Sequence, residues 1–134
     1  MFKAIEHVGI KVADLGKSLS FYTDILGFRL TERGVRADVG LDLAFLEAPG
    51  GGAQIELIHP WGFTGGLIEG VVNHFSLAVD DVDAALAHLR AKGVEISSGP
   101  LTVLGGHRIA FFSGPDGEKL ELFQRKSFRG PSRW

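Results

Sequence analysis

The 134-residue chain contains an internal duplication, which constrains its fold more than any other feature of the sequence. The segment HVGIKVADLGKSLSFY begins at His7 and matches HFSLAVDDVDAALAHL, which begins at His74, so the two copies are 67 residues apart. A repeat at a fixed offset indicates that one supersecondary unit occurs twice. Each half of the chain is therefore predicted to form the same set of strands and helix.

Each half opens with a short strand that leads into a helix. The strand ends at Asp14 in one half and at Asp81 in the other, and an aspartate caps a helix by accepting hydrogen bonds from free backbone N–H groups. The helices are predicted to end at Gly27 and Gly93, because glycine commonly follows a helix C-terminus. The apolar residues at helical spacing are interpreted as core, namely Leu15, Leu19, Tyr22 and Leu26, then Val82, Leu86 and Leu89.

Three strand-like segments follow each helix, at residues 28–32, 41–47 and 53–59, then at 94–97, 107–113 and 118–124. Each half is therefore predicted to be a βαβββ module. We expect an α+β fold in which two tandem modules, about residues 1–60 and 71–124, form a cupped eight-stranded mixed sheet with a metal site. Residues 1–134 are predicted to be a single domain, with a basic tail at 125–134 whose structure the pattern leaves open.

The composition excludes several classes of function. Fourteen Lys and Arg residues against sixteen Asp and Glu residues give a net charge of −2, so no nucleic-acid partner is expected. The chain has no cysteine, so any metal must be bound through nitrogen and oxygen atoms. The N-terminal segment MFKAIEHVGIKV is typical of a strand rather than a signal peptide, and no apolar run is long enough to span a membrane. We expect a cytoplasmic protein without a membrane partner.

Two histidines and two glutamates occupy equivalent positions in the two halves. The apolar residues that alternate with His7 and His74 are expected to face the helices, which leaves the histidines on the opposite face of each strand. Glu56 and Glu121 each lie between apolar residues of the last strand of their half, 65 residues apart. If these faces meet, two imidazoles and two carboxylates form a site for one divalent ion, such as nickel, zinc, manganese, iron or cobalt.

These residues resemble the vicinal oxygen chelate superfamily over positions 5–124. The superfamily includes glyoxalase I, methylmalonyl-CoA epimerase, fosfomycin-resistance thiol transferases, bleomycin-binding proteins and extradiol dioxygenases. The resemblance rests on HVGIKVADLGKSLSFYTDILGF, AQIELI, NHFSLAVDDVDAALAHLRAKGV and RIAFFSGPDGEKLELF. It implies paired βαβββ modules that hold a metal ion within one chain or across two, and a homodimer. The nearest likeness is to small glyoxalase I-like proteins.

The ligand set of this superfamily differs between reactions. By resemblance, dioxygenases and fosfomycin transferases use two histidines and one glutamate, whereas Glu56 adds the fourth ligand expected of bacterial glyoxalase I. The resemblance therefore implies a divalent-metal-dependent lyase or isomerase that removes a proton next to a carbonyl of a small-molecule substrate, with a metal-stabilised enediolate. It suggests Glu121 as general base and Glu56 as its partner on the opposite side. Pro60 replaces the asparagine of the glyoxalase motif IELxxNWG, so the use of glutathione stays open.

Two alternative functions are compatible with the same resemblance. One is a metal-free protein that binds and sequesters an antibiotic, and the other is an iron-dependent dioxygenase. His107 and Arg108 lie in a segment that borders the pocket in similar proteins, and Trp61 is a candidate for the wall of the pocket, so these three are the predicted substrate contacts. Substrate choice is expected to depend on three loops, at residues 33–40, 60–71 and 98–108.

Overall fold

The computed structural model describes residues 1, 5–63, 72–103 and 106–126. The chain divides into two compact units, Met1–Ile68 and Glu69–Trp134, which we call module 1 and module 2. Within the described ranges, no helix is long and apolar enough to cross a bilayer. Most of the predicted connection at 60–71 and most of the predicted tail at 125–134 lie outside the described residues.

Module 1 forms a four-stranded mixed sheet with one helical segment. Its elements are β1 (His7–Lys11), α1 (Leu15–Ser20), a π-helical continuation of α1 (Phe21–Ile25), β2 (Arg29–Arg36), β3 (Leu41–Glu47) and β4 (Gln54–Pro60). The strand order is β1-β4-β3-β2, with β1 parallel to β4 and the other pairs antiparallel. Asp14 caps α1 by accepting the backbone N–H of Lys17, as predicted.

Module 2 repeats this arrangement. Its elements are β5 (Phe75–Ala78), α2 (Val82–Ala91), β6 (Ile96–Val103), β7 (His107–Ser113) and β8 (Lys119–Gln124). The strand order is β5-β8-β7-β6, with β5 parallel to β8. Asp81 caps α2 by accepting the backbone N–H groups of Asp83 and Ala84. The predicted α+β class with two βαβββ modules is confirmed, and hydrogen bonds divide the eight strands into two sheets of four.

The second strand of each module is longer than the sequence pattern predicted. β2 continues to Arg36 instead of ending near residue 32, and β6 covers Ile96–Val103 instead of 94–97. Both are edge strands, which tolerate glycine, proline and exposed polar residues that elsewhere indicate a loop. In β6 these residues coincide with register shifts between Ile96 and Leu101, whereas the shift in β2 lies before its extension, between Leu30 and Glu32. The predicted loops at 33–40 and 98–108 are therefore wrong in part, because each begins within a strand.

The helices cover one face of each sheet and form the core there. Along β1 and β5 the burial alternates, with the histidine-bearing face exposed and the apolar residues covered, as the pattern predicted. The largest fully buried side chains of module 1 are those of Tyr22, Leu46 and Leu57, and those of module 2 are Phe112, Leu86 and Leu120. Most of the predicted helical core is buried, whereas Leu19 and Leu26 are half-buried.

Replacing Leu86 with alanine is expected to lower the free energy of unfolding by about 2 to 5 kcal/mol, because it leaves a cavity where α2 packs on the sheet of module 2. Denaturant unfolding followed by circular dichroism measures this loss. The matched control is Leu101→Ala on β6: Leu86 is 1% exposed and Leu101 is 50% exposed. The control is expected to change stability by less than about 0.5 kcal/mol. Equal losses for the two variants would contradict the described core.

Candidate metal centre

In module 1 the histidine and the glutamate lie side by side on the same face of the sheet. His7 begins β1, and Gly9, two residues later on the same face, is in register with Glu56 on the parallel strand β4. The Nε2 atom of His7 is 3.8 Å from Oε1 of Glu56. Two residues separated by most of a module are thus brought together by one pair of strands.

Module 2 contains an equivalent pair. Ser76 is in register with Glu121, where β5 runs parallel to β8, and His74 immediately precedes β5. The Nε2 atom of His74 is 3.6 Å from Oε1 of Glu121. The four residues that the sequence singled out therefore form two pairs with nearly the same geometry, one in each module.

A phenylalanine on the third strand of each sheet supports the histidine ring. Phe45 is in register with Glu56, and Phe111 is in register with Glu121. The rings of His7 and Phe45 meet edge to face, with centroids 5.4 Å apart and planes at 86°. Those of His74 and Phe111 meet in the same way, at 5.5 Å and 85°. Edge-to-face contact favours one ring orientation. Neither phenylalanine is among the site residues predicted from the sequence, although each follows an alanine at the same place in its module.

The other nitrogen of each imidazole is hydrogen-bonded to the side chain of the preceding residue. His7 Nδ1 is 2.8 Å from Oε1 of Glu6, and His74 Nδ1 is 2.8 Å from Oδ1 of Asn73. Both partners are oxygen acceptors, so each Nδ1 carries the hydrogen and donates it. In a neutral imidazole this leaves the lone pair on Nε2, the atom next to the glutamate. Glu6 and Asn73 are also not among the site residues predicted from the sequence, although they are 67 residues apart, as the two histidines are.

The donors of each pair fit a divalent metal ion. A separation of 3.6 to 3.8 Å is too long for a hydrogen bond between imidazole and carboxylate. Histidines that bind metals almost always donate their other N–H to a carboxylate, carbonyl or water, and His7 and His74 both donate to a side-chain oxygen. Throughout residues 5–63, 72–103 and 106–126, no group of three or more His, Asp or Glu side chains is placed to hold an ion. The structure thus describes two donor pairs, and their convergence into one site stays a prediction.

Comparison with known proteins shows the family to which this fold belongs. Residues 4–122 match the family model described as the Glyoxalase/Bleomycin resistance protein/Dioxygenase superfamily. The chain belongs to this superfamily. The match spans both modules and all four residues of the two pairs, which confirms the resemblance drawn from the sequence motifs.

Several relatives align with this superfamily member over nearly its whole length. It is 37% identical over 128 residues to the uncharacterized protein YwbC of Bacillus subtilis, covering 93% of this chain and all of that protein. It is 36% identical over 126 residues to a lactoylglutathione lyase of Haemophilus influenzae, covering 92% of this chain and 93% of that protein. Among solved structures, a glyoxalase I mutant from Zea mays is 31% identical with a TM-score of 0.80, covering 92% of this chain and 45% of that one.

The three predicted substrate contacts have different surroundings. His107 lies on the same face of its sheet as Glu121, with Nδ1 accepting the backbone N–H of Lys126 at 2.9 Å. Arg108 lies on the opposite face, where its guanidinium donates to Asp83 of α2 at 3.0 Å. Trp61 follows β4, is 49% exposed and donates its backbone N–H to the carbonyl of Gly40. Of the two from module 2, only His107 shares the face of the donor pair.

We expect His7 and His74 to be Nδ1–H tautomers in their neutral form, because each Nδ1 donates to a fixed oxygen. Two-bond ¹H–¹⁵N correlation spectra of the metal-free protein at alkaline pH distinguish the two tautomers. Asn73→Ala is expected to remove the preference at His74 and to leave it at His7, which serves as the internal control. A predominant Nε2–H form at either histidine of the unmodified protein would contradict the described hydrogen bond.

Proposed function

We propose that this superfamily member is a divalent-metal-dependent lyase or isomerase of the glyoxalase I-like type. The observation that carries the proposal is the duplicated pair of His Nε2 and Glu Oε1 atoms, at 3.8 Å in module 1 and 3.6 Å in module 2. The similarity to a lactoylglutathione lyase over nearly the full length of both proteins supports the same reaction class.

The proposed ligands are His7, Glu56, His74 and Glu121, which hold one ion of nickel, zinc, manganese, iron or cobalt. The two pairs meet either within one chain or between the two chains of a homodimer. Two carboxylates offset the charge of a divalent ion, and four protein ligands leave coordination positions free for water or substrate on ions that accept five or six ligands. When bound, the ion supplies a Lewis acid that polarises a carbonyl oxygen.

The residues of this chain have distinct roles in the proposed reaction. Glu121 is the general base, which takes a proton from the carbon next to the carbonyl and returns it to the neighbouring carbon, so that no oxidant or reductant is needed. Glu121 is 8% exposed, and its position among the buried residues of β8 limits the directions its carboxylate can take. Glu56 is its partner on the opposite side of the substrate. His7 and His74 hold the site through Nε2.

The proposed substrate is a small adduct of an α-oxoaldehyde with a thiol, in the cytoplasm. The name of the Haemophilus influenzae relative points to glutathione as the first thiol to test. Pro60 is the last residue of β4, the strand that carries Glu56, and it stands where the glyoxalase motif has asparagine. Proline has no N–H and no side-chain amide, so it offers a thiol ligand fewer hydrogen bonds at this position.

The purified protein is expected to bind one divalent ion for each set of four ligands and to be stabilised by it. An ion at 100 times its dissociation constant raises the free energy of unfolding by about 2.7 kcal/mol, because it binds only the folded state. Elemental analysis and thermal unfolding with added nickel, zinc or manganese measure both effects. His74→Ala is expected to abolish them, whereas His88→Ala, an exposed position on α2, is expected to retain them.

Absence of both bound metal and thermal stabilisation would overturn the enzyme proposal. It would favour the metal-free, ligand-sequestering function that the name of the superfamily also covers. Equal effects of the two histidine substitutions would overturn the ligand assignment in module 2.

Glu121→Gln is expected to lower kcat on a verified substrate by at least about 100-fold, because an amide cannot accept the proton while it keeps the size of the side chain. Initial rates and the metal content of the same sample are measured together, so that loss of metal is separated from loss of the base. Glu118→Gln on the preceding turn is the matched control and is expected to keep full turnover. A Glu121→Gln variant with both metal and full turnover would refute the assignment of the base.

A further inference from the structure

The two modules differ at the residue that lies next to the carboxylate. Gly9 is in register with Glu56, and Ser76 occupies the equivalent position in register with Glu121. The hydroxyl of Ser76 donates a hydrogen bond of 2.6 Å to Oε1 of Glu121. Among the described residues, no hydrogen bond reaches the carboxylate of Glu56, which has only His7 beside it at 3.8 Å. The duplication thus places a hydroxyl beside only one of its two glutamates.

We infer that Ser76 is a positioning residue that fixes the orientation of the Glu121 carboxylate, so that the two glutamates of the site are not equivalent. The inference rests on the proposed function, because it concerns the ligand and base roles of Glu121. A hydroxyl-to-carboxylate bond of this length is within the short range of charge-assisted hydrogen bonds. This hydrogen bond holds Oε1 of Glu121, the oxygen that also faces Nε2 of His74 at 3.6 Å. By holding Oε1, the hydrogen bond sets the direction of the second carboxylate oxygen, Oε2.

Packing does not explain the serine. Ser76 is exposed, and its hydrogen bond to Glu121 is the one polar contact described for its side chain. In module 1 the space is restricted, because a Cβ atom at Gly9 would lie 3.3 Å from Cδ1 of Ile58. Module 1 therefore accommodates a side chain at this position only with a shift of Ile58. Module 2 has the side chain of Ser76 at this position, and its hydroxyl donates a hydrogen bond to the carboxylate of Glu121.

A fixed orientation matters for the role proposed for Glu121. A ligand or base that samples several rotamers must be ordered each time an ion or substrate binds, and a bond to a neighbouring side chain reduces that cost. Among the residues that the structure describes, no hydrogen bond of this kind holds the carboxylate of Glu56. Ser76 therefore favours Glu121 as the carboxylate of constant geometry.

The test measures Co²⁺ binding to the metal-depleted protein, by competition with a chromogenic chelator and by the visible absorption spectrum of the bound ion. Ser76→Ala is expected to weaken Co²⁺ binding by about 10-fold or more and to change the spectrum, as loss of an outer-shell hydrogen bond does at metal sites. Ser76→Thr keeps the hydroxyl and suits a strand, so it is expected to remain within about twofold of the unmodified protein. Ser97→Ala, an exposed serine on β6, is the matched control.

Equal affinity and equal spectra for the unmodified protein and Ser76→Ala would overturn the inference and leave the proposed function intact. A Ser76→Thr variant as weak as Ser76→Ala would also overturn it, because the hydroxyl would then not be the group that acts. Failure of the unmodified protein to bind Co²⁺ would overturn the proposed function as well. If Ser76→Ala does not fold, Ser76→Gly, which reproduces Gly9 of module 1, replaces it in the same measurement.

Discussion

The parallel pairing of the first and last strands is the constraint on which each module depends. β1 lies beside β4 and β5 lies beside β8, although almost the whole module separates them in sequence. Parallel strands require a long crossover connection, and here the helix and two further strands provide it. The same pairing that closes the sheet brings a histidine from one end of the module to a glutamate from the other. The donor pair is therefore a consequence of the topology rather than of a local motif.

The register of that pairing is fixed by burial. Glu56 lies between Ile55 and Leu57, which are both buried, and Glu121 lies between Leu120 and Leu122, which are both buried as well. A slip by one residue would turn the glutamate into the core and the apolar residues outward, at a large cost in free energy. The apolar pattern that forms the core thus also sets which glutamate meets which histidine, with no separate requirement on the polar residues.

Sequence reasoning predicted what depends on local alternation and on the repeat. The modules, both helix caps and the faces of His7 and His74 follow from periods of two and 3.6 residues, which a single chain displays directly. It did not predict contacts made across strands. Phe45 and Phe111 reach the histidines only through the register of a third strand. Both β2 and β6 continue through residues typical of loops: β6 does so with register shifts around Gly99 and Pro100, whereas Gly34 of β2 pairs regularly with β3. The hydrogen bond from Arg108 to Asp83 of α2 was likewise not predictable, since it depends on how the helix packs on the sheet.

The departures from symmetry are more informative about function than the symmetry itself. A duplicated fold begins with two equivalent pairs, whereas the proposed proton transfer gives the two carboxylates different roles, one as base and the other as its partner. Glu6 orients His7 through a carboxylate, whereas Asn73 orients His74 through an amide, and a carboxylate partner makes the imidazole the stronger donor to a metal. Ser76 adds a second difference, on the glutamate of the opposite module. Module 1 therefore combines a histidine whose partner is a carboxylate with a glutamate for which no hydrogen bond is described, and module 2 combines a histidine whose partner is an amide with a glutamate that accepts a hydrogen bond from Ser76.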